Sequence, residues 1–231
     1  MKISVIMPVL DEEKSLPLVM KDIPRDLVEE IVVIDNGSSD GSAIVARENG
    51  ATVLSEPRKG YGYACLRGIE YLKSKSPDIV VFLDADYSDY PEEIKYLVRP
   101  VVEEGYDMVI GSRVKGKSEK GAILPQARYG NMLGTFLIRI LYGFRYTDLG
   151  PFRAIRFDKL IEMGMQDKTF GWTVEMQIKG IKKGHRITEV PVSYRKRSIG
   201  KSKVTGTIRG TIGASWKILW TIFKYVFSSP S

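Results

Sequence analysis

The sequence predicts a doubly wound α/β fold on a mostly parallel sheet, and two observations carry that expectation. Short β-branched and apolar runs alternate along the first half with segments of helical periodicity, and several of those runs stop abruptly in acidic or turn residues. Strands alternating with helices imply parallel βαβ units, whose chemistry gathers at the carboxyl ends of the strands.

Residues 2–7 read as a first strand and 31–34 as a second, closed by Asp35; 52–54, 79–83 and 108–110 continue the series. Helical spacing occupies 16–23, 42–49 with Gly50 as its C-cap, 63–73, and 91–104 ahead of Gly105. Past Ile110 the pattern changes. Residues 111–117 form a basic, flexible loop, and 126–142 read as one long helix with Met132, Leu133, Phe136, Leu137, Ile140 and Leu141 at helical spacing. Core packing is the expected use of that face. Residues 148–155 are a turn leading into a strand.

Composition sets the bounds. A chain of 231 residues, 43% hydrophobic and 27% charged, can bury a core as one large domain, or one domain with an appendage, and is not disordered. The single cysteine, Cys65, excludes an internal disulfide framework and a cysteine zinc site, and fits a reducing compartment. The single histidine, His185, makes Ser-His-Asp hydrolysis and multi-histidine metal sites poor fits. Residues 1–8 carry one basic residue and a very short apolar run before Pro8, so they are expected to be a strand and not a secretion signal, on the cytosolic side. Net charge is +7, and between residues 179 and 224 Glu189 is the only acid. That asymmetry points to an anionic partner near the C-terminal end: phosphate, lipid headgroups or nucleic acid, with a solvated basic face as the plain alternative.

The apolar run 80–83 ends in Asp84-Ala85-Asp86. Two acids one residue apart repel each other unless a cation lies between them, and hard oxygen ligands suit Mg²⁺ or Mn²⁺. A solvated turn is the alternative. The first strand likewise runs into Pro8-Val9-Leu10-Asp11-Glu12-Glu13 and the second into Asp35-Asn36-Gly37-Ser38-Ser39-Asp40-Gly41, where Asp40 or Ser42 can serve as an N-cap. Three acidic ends on one edge suit a nucleotide sugar, which offers a nucleobase edge, ribose hydroxyls and a metal-bridged diphosphate. A dinucleotide fingerprint is a poor match, because Cys65 stands where the third small residue after Gly60 and Gly62 is wanted, and no P-loop pattern occurs.

Pro8-x-x-Asp11-Glu12, Asp35-x-Gly37-Ser38-x-Asp40-Gly41, Gly60-x-Gly62-x-Ala64, Asp84-x-Asp86, Gly111-Ser112-Arg113 and Asp148-x-Gly150-x-Phe152-Arg153 occur in this order. The ordered set resembles family 2 glycosyltransferases of the GT-A fold, and among them the polyprenyl-phosphate glycosyltransferases typified by dolichol-phosphate mannose synthase. The resemblance runs roughly from residue 2 to 203. It implies a catalytic domain over 1–203, with a nucleotide-sugar half (1–112) and an acceptor half (113–203), followed by a C-terminal segment, 204–231. It implies that Pro8, Val9, Glu12 and Asp35 hold the nucleobase and ribose, and that Asp84 and Asp86, with Ala85 between them, bind the Mg²⁺ or Mn²⁺ that bridges the diphosphate. Ser88 or Asp89 stands where a third metal contact is found in such enzymes. Arg113 and Arg128 are the implied acceptor-phosphate ligands, and Arg195, Arg197, Ser202 and Lys203 belong to a loop that closes over the donor. Asp148 is implied to position donor sugar or acceptor, and Glu175 is either a sugar-hydroxyl contact or a helix-surface acid.

The acceptor decides whether a base is needed. A phosphate is already mostly dianionic at neutral pH and attacks the anomeric carbon unaided. A hydroxyl acceptor needs proton removal, for which Asp148 or Glu175 are the candidates. One in-line displacement inverts the anomeric centre.

Residues 205–227 are apolar and aromatic, interrupted by Arg209, Lys217 and Lys224, a poor transmembrane span. At about 100° per residue those cations share roughly 80° of arc, the pattern of a helix lying in a membrane interface. Docking on the protein's own core or in an oligomer is the alternative. The expected function is transfer of a hexose from a GDP-mannose- or UDP-glucose-type donor to a polyprenyl or dolichyl phosphate at the cytoplasmic face of a membrane, by a peripheral enzyme with a membrane partner protein or a second copy as possible associates. The alternative is a soluble enzyme using a saccharide or other hydroxyl acceptor, or a related nucleotidyl transferase. A non-enzymatic basic module ranks last, and nucleic acid is not an expected partner, because such a module has no use for acidic strand ends.

Overall fold

The computed structural model describes residues 1–197, 199–200 and 208–227. The elements run β1 (Ile3–Val9), α1 (Leu16–Asp22), β2 (Glu30–Asp35), α2 (Ser42–Glu48), β3 (Thr52–Ser55), α3 (Tyr61–Leu72), β4 (Ile79–Phe82), α4 (Ile94–Glu103), β5 (Met108–Ser112), α5 (Pro125–Tyr142), β6 (Arg153–Arg156), α6 (Phe157–Met163), α7 (Trp172–Lys182), β7 (Ile187–Pro191) and α8 (Ile208–Lys224). They build one sheet in the order β3-β2-β1-β4-β6-β5-β7. Every neighbouring pair is parallel except those of β6, which lies antiparallel between β4 and β5.

The period-2 alternation of the strands supplies both faces of the core. Ile6, Val32, Ile34 and Val80 face α3, α5, α7 and α8, whereas Val5, Met7, Val33 and Val81 face α1, α2 and α4. The sheet is thus doubly wound, as expected. Strand β6 is inserted between β4 and β5, so the two expected halves contribute to one sheet. The expected boundary at 203/204 falls outside the described residues.

The face of α5 expected in the core is largely outside it. Only Gly134 and Ile138 are buried, Leu137 and Leu141 pack partly, and Tyr129, Met132, Leu133, Phe136 and Ile140 are exposed. This helix lies at the margin of the body, where α8 contacts it. The C-terminal helix is docked on protein: the Tyr142 hydroxyl donates to the Ile222 carbonyl, the Tyr225 hydroxyl to Glu175 Oε1 at 2.6 Å, and Lys217 Nζ pairs with Asp167 Oδ2 at 3.0 Å. Ala214, Thr221, Ile222 and Tyr225 form the buried side. On the opposite side Trp216 is 70% exposed and Trp220 55%, with Phe223 beside them and Phe227 just past the helix end. The helix is therefore apolar on two opposed faces, one spent on the fold and one turned outward.

Candidate active site

The order β2-β1-β4 brings three expected strand ends to one edge. Pairing of β1 with β4 stops at Ile6 and Phe82, while pairing with β2 continues to Val9 and Asp35. Pro8 thus lies past the last β1–β4 pair, where its missing N–H leaves no bond to β4 unmade. A cavity of about 460 Å³ opens there, and Pro8, Val9, Glu12, Asp84, Ala85, Asp86 and Arg197 line it. Lys59, Tyr61 and Phe170 line it too and were not expected. Asp35 stands at the same edge without lining the cavity; its Oδ1 accepts the Ser38 N–H at 3.0 Å and shapes the β2 loop.

Burial, followed by the nearby charge of Asp86, pushes Asp84 up to about 7. The Tyr61 hydroxyl donates to Asp84 Oδ1 at 3.2 Å, and burial keeps that phenol protonated. Asp86 accepts the Ser88 N–H at 2.9 Å and carries the Arg197 guanidinium on its other oxygen at 3.2 Å. Arg197 also pairs with Glu12 Oε1, whose partner oxygen accepts the Ser15 hydroxyl at 2.8 Å. Two neighbouring carboxylates, of which Asp86 already draws a cation from the protein, are a fitting donor set for a hard divalent ion. No cluster of three or more His, Cys, Asp or Glu side chains that could hold a metal ion occurs among the described residues. Ser88 is buried, with its amide turned to Asp86 and its carbonyl accepting from the Arg195 N–H. Asp89 is buried with Oδ1 unpartnered; burial, then Asp84 and Asp86, pushes it well above the usual carboxylate range.

The loop after β4 is strained. Tyr87 holds φ +62°, costly for a residue with a Cβ. The conformation sends its hydroxyl to Asp22 at 2.6 Å and its ring under Arg195, whose Cζ lies 3.7 Å from the Tyr87 centroid and 3.8 Å from that of Tyr90. Arg195, expected in a loop that closes over the donor, is held between two rings and does not line the cavity. The double cation–π contact fixes it.

Gly60 and Gly62 serve clearance. A Cβ at either position would run into the backbone carbonyls of Lys168 or Asp167, so these glycines let the α6–α7 loop lie against the start of α3. Asn36 spends its amide on the same region: Nδ2 donates to the carbonyls of Glu56 and Arg58, and Oδ1 accepts the Gly60 N–H.

The expected acceptor residues are not brought together. Arg113 clasps Asp148, with Nη2 on Oδ1 at 2.7 Å and Nε on Oδ2 at 2.8 Å. Glu189 accepts both the Thr147 and Asp148 N–H groups, which gives the only acid of the basic stretch a bracing role. Asp148 is 1% exposed, and neither partner lines the cavity. Arg128 lies elsewhere, on a surface hollow with Ile123, Pro125, Tyr129 and Met132. Glu175 is neither on the helix surface nor at the cavity: it is fully buried, accepting from the backbone of Gln166 and Asp167 and from Tyr225 while paired with Lys179. Its acid joins the α6–α7 loop to Tyr225, just past the end of α8. Ser202 and Lys203 lie outside the described residues.

A doubly wound sheet with paired acids at its central strand end, beside a cavity of about 460 Å³, has the architecture of the GT-A glycosyltransferases. The chain belongs to glycosyl transferase family 2, whose profile matches residues 4–164. It is 32% identical to an undecaprenyl-phosphate mannosyltransferase of Micrococcus luteus over 91% of this chain and 90% of that one. It is also 32% identical to a dolichyl-phosphate hexose transferase of Haloferax volcanii over 87% and 86% of the two chains. Glucosyl-3-phosphoglycerate synthase of Mycobacterium tuberculosis, solved with Mn²⁺, UDP and phosphoglyceric acid, superposes over 100% of this chain and 80% of that one with a TM-score of 0.77. At 22% identity that likeness is one of fold.

Proposed function

We propose that the protein is a metal-dependent, inverting hexosyltransferase that moves a sugar from a nucleotide diphosphate donor to a polyprenyl phosphate at a membrane surface. The observation that carries this reading is the unpartnered apolar surface of α5 and α8, with Trp216, Trp220 and Phe136 exposed and the cationic hollow at Arg128 on α5. Aromatic side chains and nearby cations suit a lipid interface. The Arg128 hollow, apart from the donor cavity, offers a guanidinium to anionic headgroups at the membrane surface, with Ile123 and Met132 as apolar neighbours. The two relatives named as polyprenyl-phosphate enzymes support the same acceptor class. No helix among the described residues is long and apolar enough to cross a membrane. The reading takes the enzyme as peripheral, on the cytoplasmic face.

In this reading Pro8 and Val9 bound the nucleotide end of the cavity, and Asp84 and Asp86 hold Mg²⁺ or Mn²⁺. When bound, the ion neutralises charge gathering on the departing diphosphate. An acceptor phosphate with a second pKa of about 6 needs no base. One of its oxygens bonds to the anomeric carbon as the bond to the diphosphate oxygen breaks, and the nucleoside diphosphate leaves with that electron pair. The burial of Glu175 and the Arg113 clasp on Asp148 agree with a reaction that asks neither for proton removal.

A second reading is a soluble enzyme with a small phosphorylated or hydroxyl acceptor; the fold neighbour solved with phosphoglyceric acid is an example of this fold with a small phosphorylated molecule bound. Incubation with GDP-mannose, UDP-glucose and related donors, Mn²⁺ and a short polyprenyl phosphate tests both. Sugar transferred to lipid supports the first. Transfer only to phosphoglyceric acid or saccharides overturns it.

A further inference from the structure

We infer that Arg197 is the internal counter-ion of the acidic strand end, and that it must leave Asp86 before a divalent cation and a donor diphosphate bind there together. The inference rests on Asp84 and Asp86 as the metal pair and adds an order of events to it. Arg197 bridges two loops, with Nη1 3.2 Å from Asp86 Oδ2 and Nη2 on Glu12 Oε1. Its side chain is only 17% exposed, and its Nε donates to the Ile199 carbonyl at 2.9 Å. The guanidinium therefore occupies one oxygen of the outer metal acid.

The chain on either side explains how it can move. Two residues earlier, Arg195 is locked between Tyr87 and Tyr90, and its N–H donates to the Ser88 carbonyl at 2.8 Å. That anchor ties the root of the loop to the Asp84–Asp86 segment independently of Arg197. Arg197 can exchange partners while Arg195 keeps its contacts with Tyr87, Tyr90 and Ser88.

Charge supplies the reason for exchange. A guanidinium and a divalent cation repel each other on one carboxylate, so the protein's own cation opposes the metal when the metal comes alone. A diphosphate reverses this, because its oxygens give the displaced guanidinium a bidentate partner. Metal and nucleotide then bind with positive coupling, each strengthening the other by the same factor.

The test is Mn²⁺ titration of metal-free protein followed by electron paramagnetic resonance, alone and with saturating UDP or GDP, for wild type, Arg197→Gln, Arg197→Lys and Lys196→Gln. Arg197→Gln should bind Mn²⁺ alone about fivefold more tightly than wild type, the scale of one removed ion pair, yet gain less from nucleotide. Arg197→Lys, which keeps the charge without the fork, should lie between. Lys196→Gln makes the same change in net charge at an exposed neighbour and should match wild type. Unchanged or weaker Mn²⁺ binding by Arg197→Gln, or an equal gain in Lys196→Gln, overturns the counter-ion role alone. Absence of Mn²⁺ binding in every protein, with nucleotide present, overturns the metal pair as well.

Discussion

Arg113 holds Asp148 in a two-pronged grip and adds a third donor from its own backbone, the Arg113 N–H lying 2.8 Å from Asp148 Oδ2. Burial works against the ionised carboxyl, but the charge and hydrogen bonds of Arg113 outweigh it and hold Asp148 below the usual carboxylate range. Removing one partner of such a pair strands the other charge. Asp148→Asn should cost about 3–5 kcal/mol of stability at neutral pH by urea unfolding. A depressed pKa gives stability that is complete above the unfolded value of about 4 and disappears as pH falls through the lower folded value. The deficit of the variant should therefore shrink in strong acid.

Asp84 has the opposite sign. Its folded pKa is raised to about 7, chiefly by burial and then by Asp86, so the folded protein retains a proton that the unfolded chain has lost. That contribution is complete below about pH 4 and fades as pH rises through about 7. The melting temperature of the metal-free wild type should fall across this interval relative to that of Asp84→Asn. Mn²⁺ affinity should rise over the same interval, with a proton released for each ion bound below about pH 7.

Gly62→Ala tests whether the glycines give clearance. A methyl there meets the Asp167 carbonyl, which is backbone and cannot rotate away. The substitution should cost about 1–3 kcal/mol in urea unfolding, the range for overpacking, whereas a phosphate-binding role would leave stability unchanged.

The two faces of α8 should respond separately. Ile222→Ala, on the docked face, should destabilise by about 2–5 kcal/mol. The double variant Trp216→Ser, Trp220→Ser should melt like the wild type and lose co-sedimentation with anionic vesicles. Vesicle binding that survives the double change removes the membrane face from the account.

Much of the fold was legible because the first half obeys local rules. Ile31-Val32-Val33-Ile34 can be little else than a buried strand, and acids after such runs mark the edge where a parallel sheet puts its chemistry. Strand β7 was missed because Ile187-Thr188-Glu189-Val190-Pro191 has a carboxylate at its centre and lies at the sheet edge. Its Glu189 looked like an isolated acid and proved to brace Thr147 and Asp148. Tyr61 was passed over because its position reads as a variable residue between two glycines. Only the approach of α3 to the end of β4 gives its hydroxyl a partner in Asp84.

The sequence by itself determined the sheet-and-helix alternation, the acidic strand ends and the family, since each depends on the order of residues along short stretches. Tertiary structure decided which charges are available. It turned Arg195 into a stacked anchor, put Arg197 on Asp86 and Glu12, closed Arg113 onto Asp148 and sank Glu175 beneath α8. A charge's role depends on which opposite charge or ring lies within a few ångströms and how little water lies between. In this fold those neighbours come from residues up to 185 positions away in the chain.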